Sequence, residues 1–269
     1  GFSDEDIRLI MRENGLGLVA PATLMIITLM LFLAFNRVTE VAIILLALFA
    51  ILFGARRFEL AGRSEGLLYA IGLESAIKLL ALSNLEIEAF IAEANEVLGD
   101  DPLHALVNNA GVSPKTPYKE RLGSLNGDIA AWRDVFELNF FTPLTLSRGF
   151  ASALHRGKGA ICNITSIAGH YVHPFAGSAY SISKAALSAL TREMANEFAA
   201  LGVRVNAVAP GEIETEMIQP EYEALIPRIP LDKMGSPTDV AGAIHYLCSE
   251  DARYVTGTEI WVTGGQHMF

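Results

Sequence analysis

Four short apolar runs constrain this chain more than any other feature: HALVNNAG at 104–111, GAICNIT at 159–165, VRVNAVAP at 203–210 and EIWVTGG at 259–265. Each is too brief for a helix and closes on a turn-forming residue, which is how buried strands read. Between and around them the periodicity changes. In NLEIEAFIAEANEVLGD the apolar positions Leu85, Ile87, Phe90, Ile91, Ala94, Val97 and Leu98 form one helical stripe that stops at Gly99. Further helices are expected near Asp128–Arg156, from about Ala179 to Leu201, and over TDVAGAIHYLCSE, with a lid-like loop running to about Gly235. Strands alternating with helices of ten or more residues give a parallel sheet covered by helices, an α/β fold. This pattern starts near Ser83, and the chain shows no internal repeats or low-complexity tracts.

The first third is different. The mean hydropathy of +0.35 is high for an enzyme, and the excess lies ahead of Ser83. Residues 15–36, including LMIITLMLFLAF, carry no charge, and VAIILLALFAILFGA at 41–55 is a second uncharged run. The first is long enough to cross a bilayer core of ~30 Å and the second is on the short side. Arg8, Arg12, Arg56, Arg57 and Arg63 flank the pair while Arg37 stands alone between them, which fits a helical hairpin with both ends in the cytoplasm. A very apolar soluble core is the alternative. A third run, LLYAIGLESAIKLLAL, contains Glu74 and Lys78 and reads as a buried or interfacial helix. The start SDEDIR is acidic and no small-residue cleavage pattern follows, unlike a signal peptide. Through LFAILFGARR and the run after it, this part resembles, without a sharp motif, a membrane fragment of solute-symporter-type sensor proteins. Two units are therefore expected: an apolar, membrane-like segment at 1–82 and an α/β domain at 83–269, with membrane contact through residues 15–55.

Charge and cysteine content narrow the function. A net charge of −10 and a pI near 5.1 exclude a nucleic-acid binder, which would show a basic face. Cys162 and Cys248 have neither metal-ligand spacing nor a disulfide framework, so no metal is expected and a reducing, cytoplasmic location is.

The chemistry lies in YSISK. Tyr180 and Lys184 are four residues apart and share one helix face. A phenol near pKa 10 is a poor acid or base at neutral pH, and an ammonium one turn away is expected to lower that value. Ser166, at the end of the strand CNITS, is placed to orient a carbonyl or alcohol beside the phenol. Taken together, NNAG at Asn108–Gly111, LNFF with Asn139, NITSIAG with Ser166, YSISK and APGEIETEM from Ala209 resemble the short-chain dehydrogenases/reductases, in order and in rough spacing. The resemblance runs from about Ser83 to the C-terminus.

The resemblance implies a Rossmann-like sheet with helices on both faces, and an NAD(P)-dependent oxidoreductase that interconverts a carbonyl and a secondary alcohol. Tyr180 would be the general acid/base. Lys184 would lower its pKa and hold the nicotinamide ribose, Ser166 would bond the substrate oxygen, and Asn139 would hold a water of a proton relay. Thr215 matches the position that binds the nicotinamide carboxamide, with Pro210, Gly211 and Ile213 shaping the same turn. Asn108, Ala110 and Gly111 match the turn beside the adenosine half. His170, Tyr171 and His173 would lie near the substrate mouth, under a lid at Glu212–Lys233. Relatives of this type are commonly tetramers, and the stripe Ala186, Leu187, Leu190 and Met194 permits a homo-oligomer.

The family's opening strand, glycine-rich turn and helix have no counterpart ahead of Asn108, so its N-terminal strands are read as replaced by apolar helices. NGLGLVA places Gly15, Gly17 and Ala20 in a G-x-G-x-x-A pattern with Glu40 beyond, but Pro21 and the all-round apolar continuation do not suit a phosphate loop. Without the family's second strand, the cofactor expectation is NAD or NADP, and the strand before Asn108 becomes an exposed edge. A degenerate Rossmann half is a further reading of the N-terminus. A reading from a different class is a catalytically inactive, membrane-tethered interaction module, which dinucleotide titration would tell from an enzyme.

Overall fold

The structure is a computed structural model, and it describes residues 84–115, 120–215 and 220–268. The runs at 15–55, the Gly15/Gly17/Ala20 pattern, the segment from Leu67 and the replacement of the N-terminal strands all lie outside the described residues. No described helix is long and apolar enough to cross a membrane.

The sheet has four strands in the order β1 (Ala105–Asn108), β2 (Ala160–Ile164), β3 (Arg204–Pro210) and β4 (Glu259–Val262), all parallel. In register, Asn108 sits opposite Asn163 and Pro210 opposite Val262, so the C-terminal ends share one edge. β2 is buried at every position, as expected of a parallel strand covered on both faces, and its one polar residue, Asn163, is held by side-chain hydrogen bonds. Among the described residues β1 and β4 are the edges.

Two cores sit on opposite faces. Ile161 and Val205 join the first, with Ile87, Phe150, Met194 and Phe198 from α1 (Asn84–Leu98), the 142–157 region and α5 (Ser178–Phe198). Cys162, Ile164 and Val208 turn the other way, onto Leu247, Val240 and Ile244 of α6 (Pro237–Cys248). Neighbouring strand residues pointing to opposite faces produce this split. The chain is thus an α/β, Rossmann-like fold with helices on both faces of a parallel sheet.

Three expectations change. The single helix near Asp128–Arg156 is three: α2 (Ile129–Phe136), α3 (Thr142–Gly149) and α4 (Ala151–Gly157), with a π-helical turn at Glu137–Phe141. Pro143 has no N–H to return to the carbonyl four residues back, and the Thr142 N–H bonds Glu137 O instead. The second break is at Phe150, φ −99° and ψ 6°, and the glycine before it lets the helix approach Ile91, since a Cβ on Gly149 would stand 2.5 Å from Ile91 Cγ2. The long helix near Tyr180 ends at Phe198, where a 3-10 turn over Ala199–Leu201 takes over. In the stripe Ala186, Leu187, Leu190 and Met194, Leu187 and Met194 are 0% and 1% exposed and Leu190 packs on the first core, so these three serve the chain's own interior.

Candidate active site

Every residue expected at the site falls at or beyond the C-terminal edge of the sheet, where ligands bind in open α/β folds. Asn108 ends β1 and is buried; its Nδ2 donates to Asn163 Oδ1 at 2.8 Å and to Ser147 Oγ at 3.3 Å. Asn163 passes the chain of bonds on to Thr191 Oγ1 at 2.9 Å, tying β1, β2 and α5 together below the site. Asn108 Oδ1 is buried without a partner. Ala110 packs on the first core, and Gly111 lies against Lys184: a Cβ there would stand 3.1 Å from Nζ and 3.4 Å from Asn139 Oδ1.

Asn139 sits in the π turn and is fully buried. Its amide grips the Val112 backbone from both sides, accepting from N at 2.9 Å and donating to O at 3.1 Å, and it also donates to Ser183 Oγ at 3.0 Å. The turn after β1 is thereby fixed to α5. Ser166 stands just past β2 and caps the 3-10 turn Ile167–Gly169 by accepting from Ala168 N at 3.1 Å.

Tyr180 and Lys184 lie in the first turns of α5. The Lys184 ammonium is 5.8 Å from the centre of the Tyr180 ring and donates to Ile164 O at 2.6 Å. Burial pushes its pKa down from 10.5 to about 8. Tyr180 differs from expectation. Its pKa is raised, chiefly by burial and further by the charge of Glu212, while a hydrogen-bonding interaction with Ser166 pulls the other way. Lys184 is not among the causes: with its own pKa near 8, the amine has lost its charge by the pH at which the phenol ionises.

The turn after β3 brings Pro210 and Gly211 to the same edge, with Gly211 N bonded to Val262 O at 2.9 Å. Ile213 is buried in a bridge with Gly235, whereas Thr215 is exposed. Of the three residues expected at the mouth, Tyr171 is half-exposed and donates from its hydroxyl to His267 O at 2.7 Å. His170 pairs with Glu259 at 2.8 Å and packs on Trp261. His173 is buried, with Nε2 2.8 Å from Glu212 Oε1. A cavity of about 610 Å³ opens beside Ile167, the chain neighbour of Ser166, and is lined also by Tyr171, His173, Leu225, Arg228 and Gln266.

Sequence reasoning missed Glu212, Gln266, Asn163 and Glu259. The one signal was a carboxylate placed directly after Pro210–Gly211, in a motif otherwise shaped for a ligand.

Comparison with known proteins places this edge in context. A family model described as enoyl-(acyl carrier protein) reductase matches residues 59–267. Protein FixR of Bradyrhizobium diazoefficiens is 53% identical over 179 residues, covering 66% of this chain and 64% of that protein, a little under two thirds of its length. Galactitol 2-dehydrogenase (L-tagatose-forming) of Cereibacter sphaeroides is 40% identical over 187 residues, 66% of this chain and 71% of that protein. The crystal structure of a short-chain dehydrogenase/reductase-family oxidoreductase from Brucella ovis, in complex with a partially ordered NAD, is 45% identical with a TM-score of 0.58, covering 67% of this chain and 74% of that one. The chain belongs to the short-chain dehydrogenase/reductase family of NAD(P)-dependent oxidoreductases.

Proposed function

We propose that this chain interconverts a small-molecule carbonyl and a secondary alcohol by hydride exchange with NAD or NADP, with Tyr180 as general acid/base. The observation that carries the reading is the convergence of Tyr180, Ser166 and Lys184 at the C-terminal edge of β2, the phenol and the Ser166 side chain interacting and the ammonium 5.8 Å from the ring.

The residues present fit the nicotinamide side of a dinucleotide. Lys184 spends one of its three donors on Ile164 O and has others for ribose hydroxyls. Gly111 leaves a concavity over Nζ that a Cβ would fill, and Asn108 Oδ1 is a buried acceptor without a partner. Asn108, Ala110 and Gly111 would flank the cofactor from β1, and Pro210, Gly211, Ile213 and Thr215 from β3. When bound, the dinucleotide supplies or takes the hydride.

The chain's own residues do the rest. Ser166 bonds the substrate oxygen and fixes its direction. Tyr180 gives that oxygen a proton as a carbonyl is reduced, or takes one as an alcohol is oxidised. Asn139 holds Val112 against α5, and it would hold a water of the proton relay behind Lys184. Residues 83–269 form the catalytic unit, and 1–82 a separate apolar segment.

The test is hydride transfer, followed by NADH and NADPH absorbance over a panel of ketones, in this chain and in Tyr180→Phe. A rate in the parent that the variant lacks supports the reading. Equal background rates in the two overturn it.

A further inference from the structure

His173 lies between Ser166 and Tyr180 in the chain, and its bonding fixes which ring nitrogen donates. Its Nδ1 is reached by two backbone N–H groups, Phe175 at 3.2 Å and Ala176 at 3.0 Å, so that nitrogen is an acceptor and carries no proton. The ring proton is on Nε2, which donates to Glu212 Oε1 at 2.8 Å.

Gln266 Nε2 donates to the same carboxylate oxygen at 3.2 Å. Reversing that amide would set its oxygen against a carboxylate oxygen, so the orientation is determined. Glu212 is 4% exposed, and its two donors are an imidazole and an amide rather than an arginine or a lysine. The cost of holding it there marks a position with a purpose beyond packing.

Both donors line the cavity beside Ser166. The cation of that lining, Arg228, is exposed at its rim. Glu212 itself is not in that lining and stands behind the two side chains that are. Gln266 also leaves Oε1 buried without a partner, an acceptor that only a donor can satisfy.

We propose that Glu212 is a specificity determinant: with Gln266 it selects substrates that are neutral around the reacting carbon and carry a neighbouring hydroxyl, and rejects those with a carboxylate or phosphate there. A buried anion repels a second one across a medium that screens poorly. The charge of Glu212 is already felt at Tyr180, whose phenol it helps hold above the usual range. This inference rests on the reading that Ser166 and Tyr180 receive the substrate oxygen.

Binding tests it without requiring turnover. Propane-1,2-diol, butan-2-ol and lactate share the carbinol carbon and methyl group and differ in whether the adjoining group is a hydroxymethyl, an ethyl or a carboxylate. Their affinities are measured by ligand-observed NMR at fixed salt for the full chain and for Glu212→Gln, with folding checked by circular dichroism. The parent should bind the diol at least about tenfold more tightly than lactate, and Glu212→Gln should narrow that gap to about threefold or less. Gln266→Leu, a second variant that leaves Glu212 in place, should bring the diol down to the level of butan-2-ol. Equal binding of diol and lactate by the parent overturns the proposal, as does a gap unchanged in a folded Glu212→Gln, or no binding of any of the three. A chain that shows the preference but transfers no hydride keeps this inference and loses the proposed reaction.

Discussion

The Lys184 ammonium donates a 2.6 Å hydrogen bond to the carbonyl oxygen of Ile164, the last residue of β2. One amine thus pins the helix that carries Tyr180 to the strand that leads into Ser166. The bond is made by a side chain 2% exposed, and that burial has a measurable cost.

Stability should rise with pH because of it. The folded pKa is about 8 against 10.5 for the free side chain, so between those values the unfolded chain binds more protons. The penalty is fully present below about pH 8 and is relieved towards 10.5, a gain on the order of 3 kcal/mol. Tyr180, raised above 10.0, opposes this from about pH 10 upward. Urea unfolding at pH 7 and pH 10 should show the rise, and Lys184→Met should flatten it.

The pH dependence of alcohol oxidation should follow the phenol. With Tyr180 as the proposed base, oxidation needs the phenol without its proton, so kcat/KM should climb as pH rises above neutrality. Glu212 raises the phenol's pKa and Ser166 lowers it. Glu212→Gln should therefore shift the rising limb to lower pH, and Ser166→Ala to higher pH. Shifts in the same direction would show that these two neighbours do not act on Tyr180 as stated.

Tyr180→Phe removes the proton donor and keeps the ring. Hydride transfer should fall by about 10²–10⁴-fold, the range general acid–base catalysis supplies. Thermal unfolding should shift by little, because the backbone of the helix start is unchanged.

Gly111→Ala would place a methyl group 3.1 Å from Lys184 Nζ, closer than carbon normally approaches nitrogen. The flexible amine can yield, so the fold should survive while the amine leaves its place. Activity should drop at least about tenfold with melting nearly unchanged. Dinucleotide binding, measured by fluorescence titration, should weaken in step.

Gly157→Ala makes the opposite kind of damage. Its Cβ would meet Leu103 O at 2.4 Å, and a backbone carbonyl cannot swing aside. The expected loss is about 1–3 kcal/mol of stability, read from the urea midpoint, with substrate affinity per folded molecule unaltered.

Local features were legible from the letters alone: the four strands, the YSISK helix and the turn after Pro210 each depend on neighbours within a few residues. What escaped depends on distance. Glu212 and His173 are 39 positions apart, and neither reads as half of a buried pair until the fold joins them. The raised pKa of Tyr180 is of the same kind, set by burial that spacing does not reveal. The break at Glu137–Phe141 was different, since Pro143 announced it and the apolar stripe around it concealed the signal.

That π turn has a consequence for how this protein can change. It accommodates one residue more than an α-helical turn would, and the surplus is what sets Asn139 facing Val112 and Ser183. Deleting a single amino acid from ELNFF would remove the residue the wide turn accommodates, while Pro143 would still interrupt the backbone bonding of the helix that follows. It would also swing everything on one side of the deletion by about 100° relative to the other. Substitutions can explore this stretch, but its length is locked.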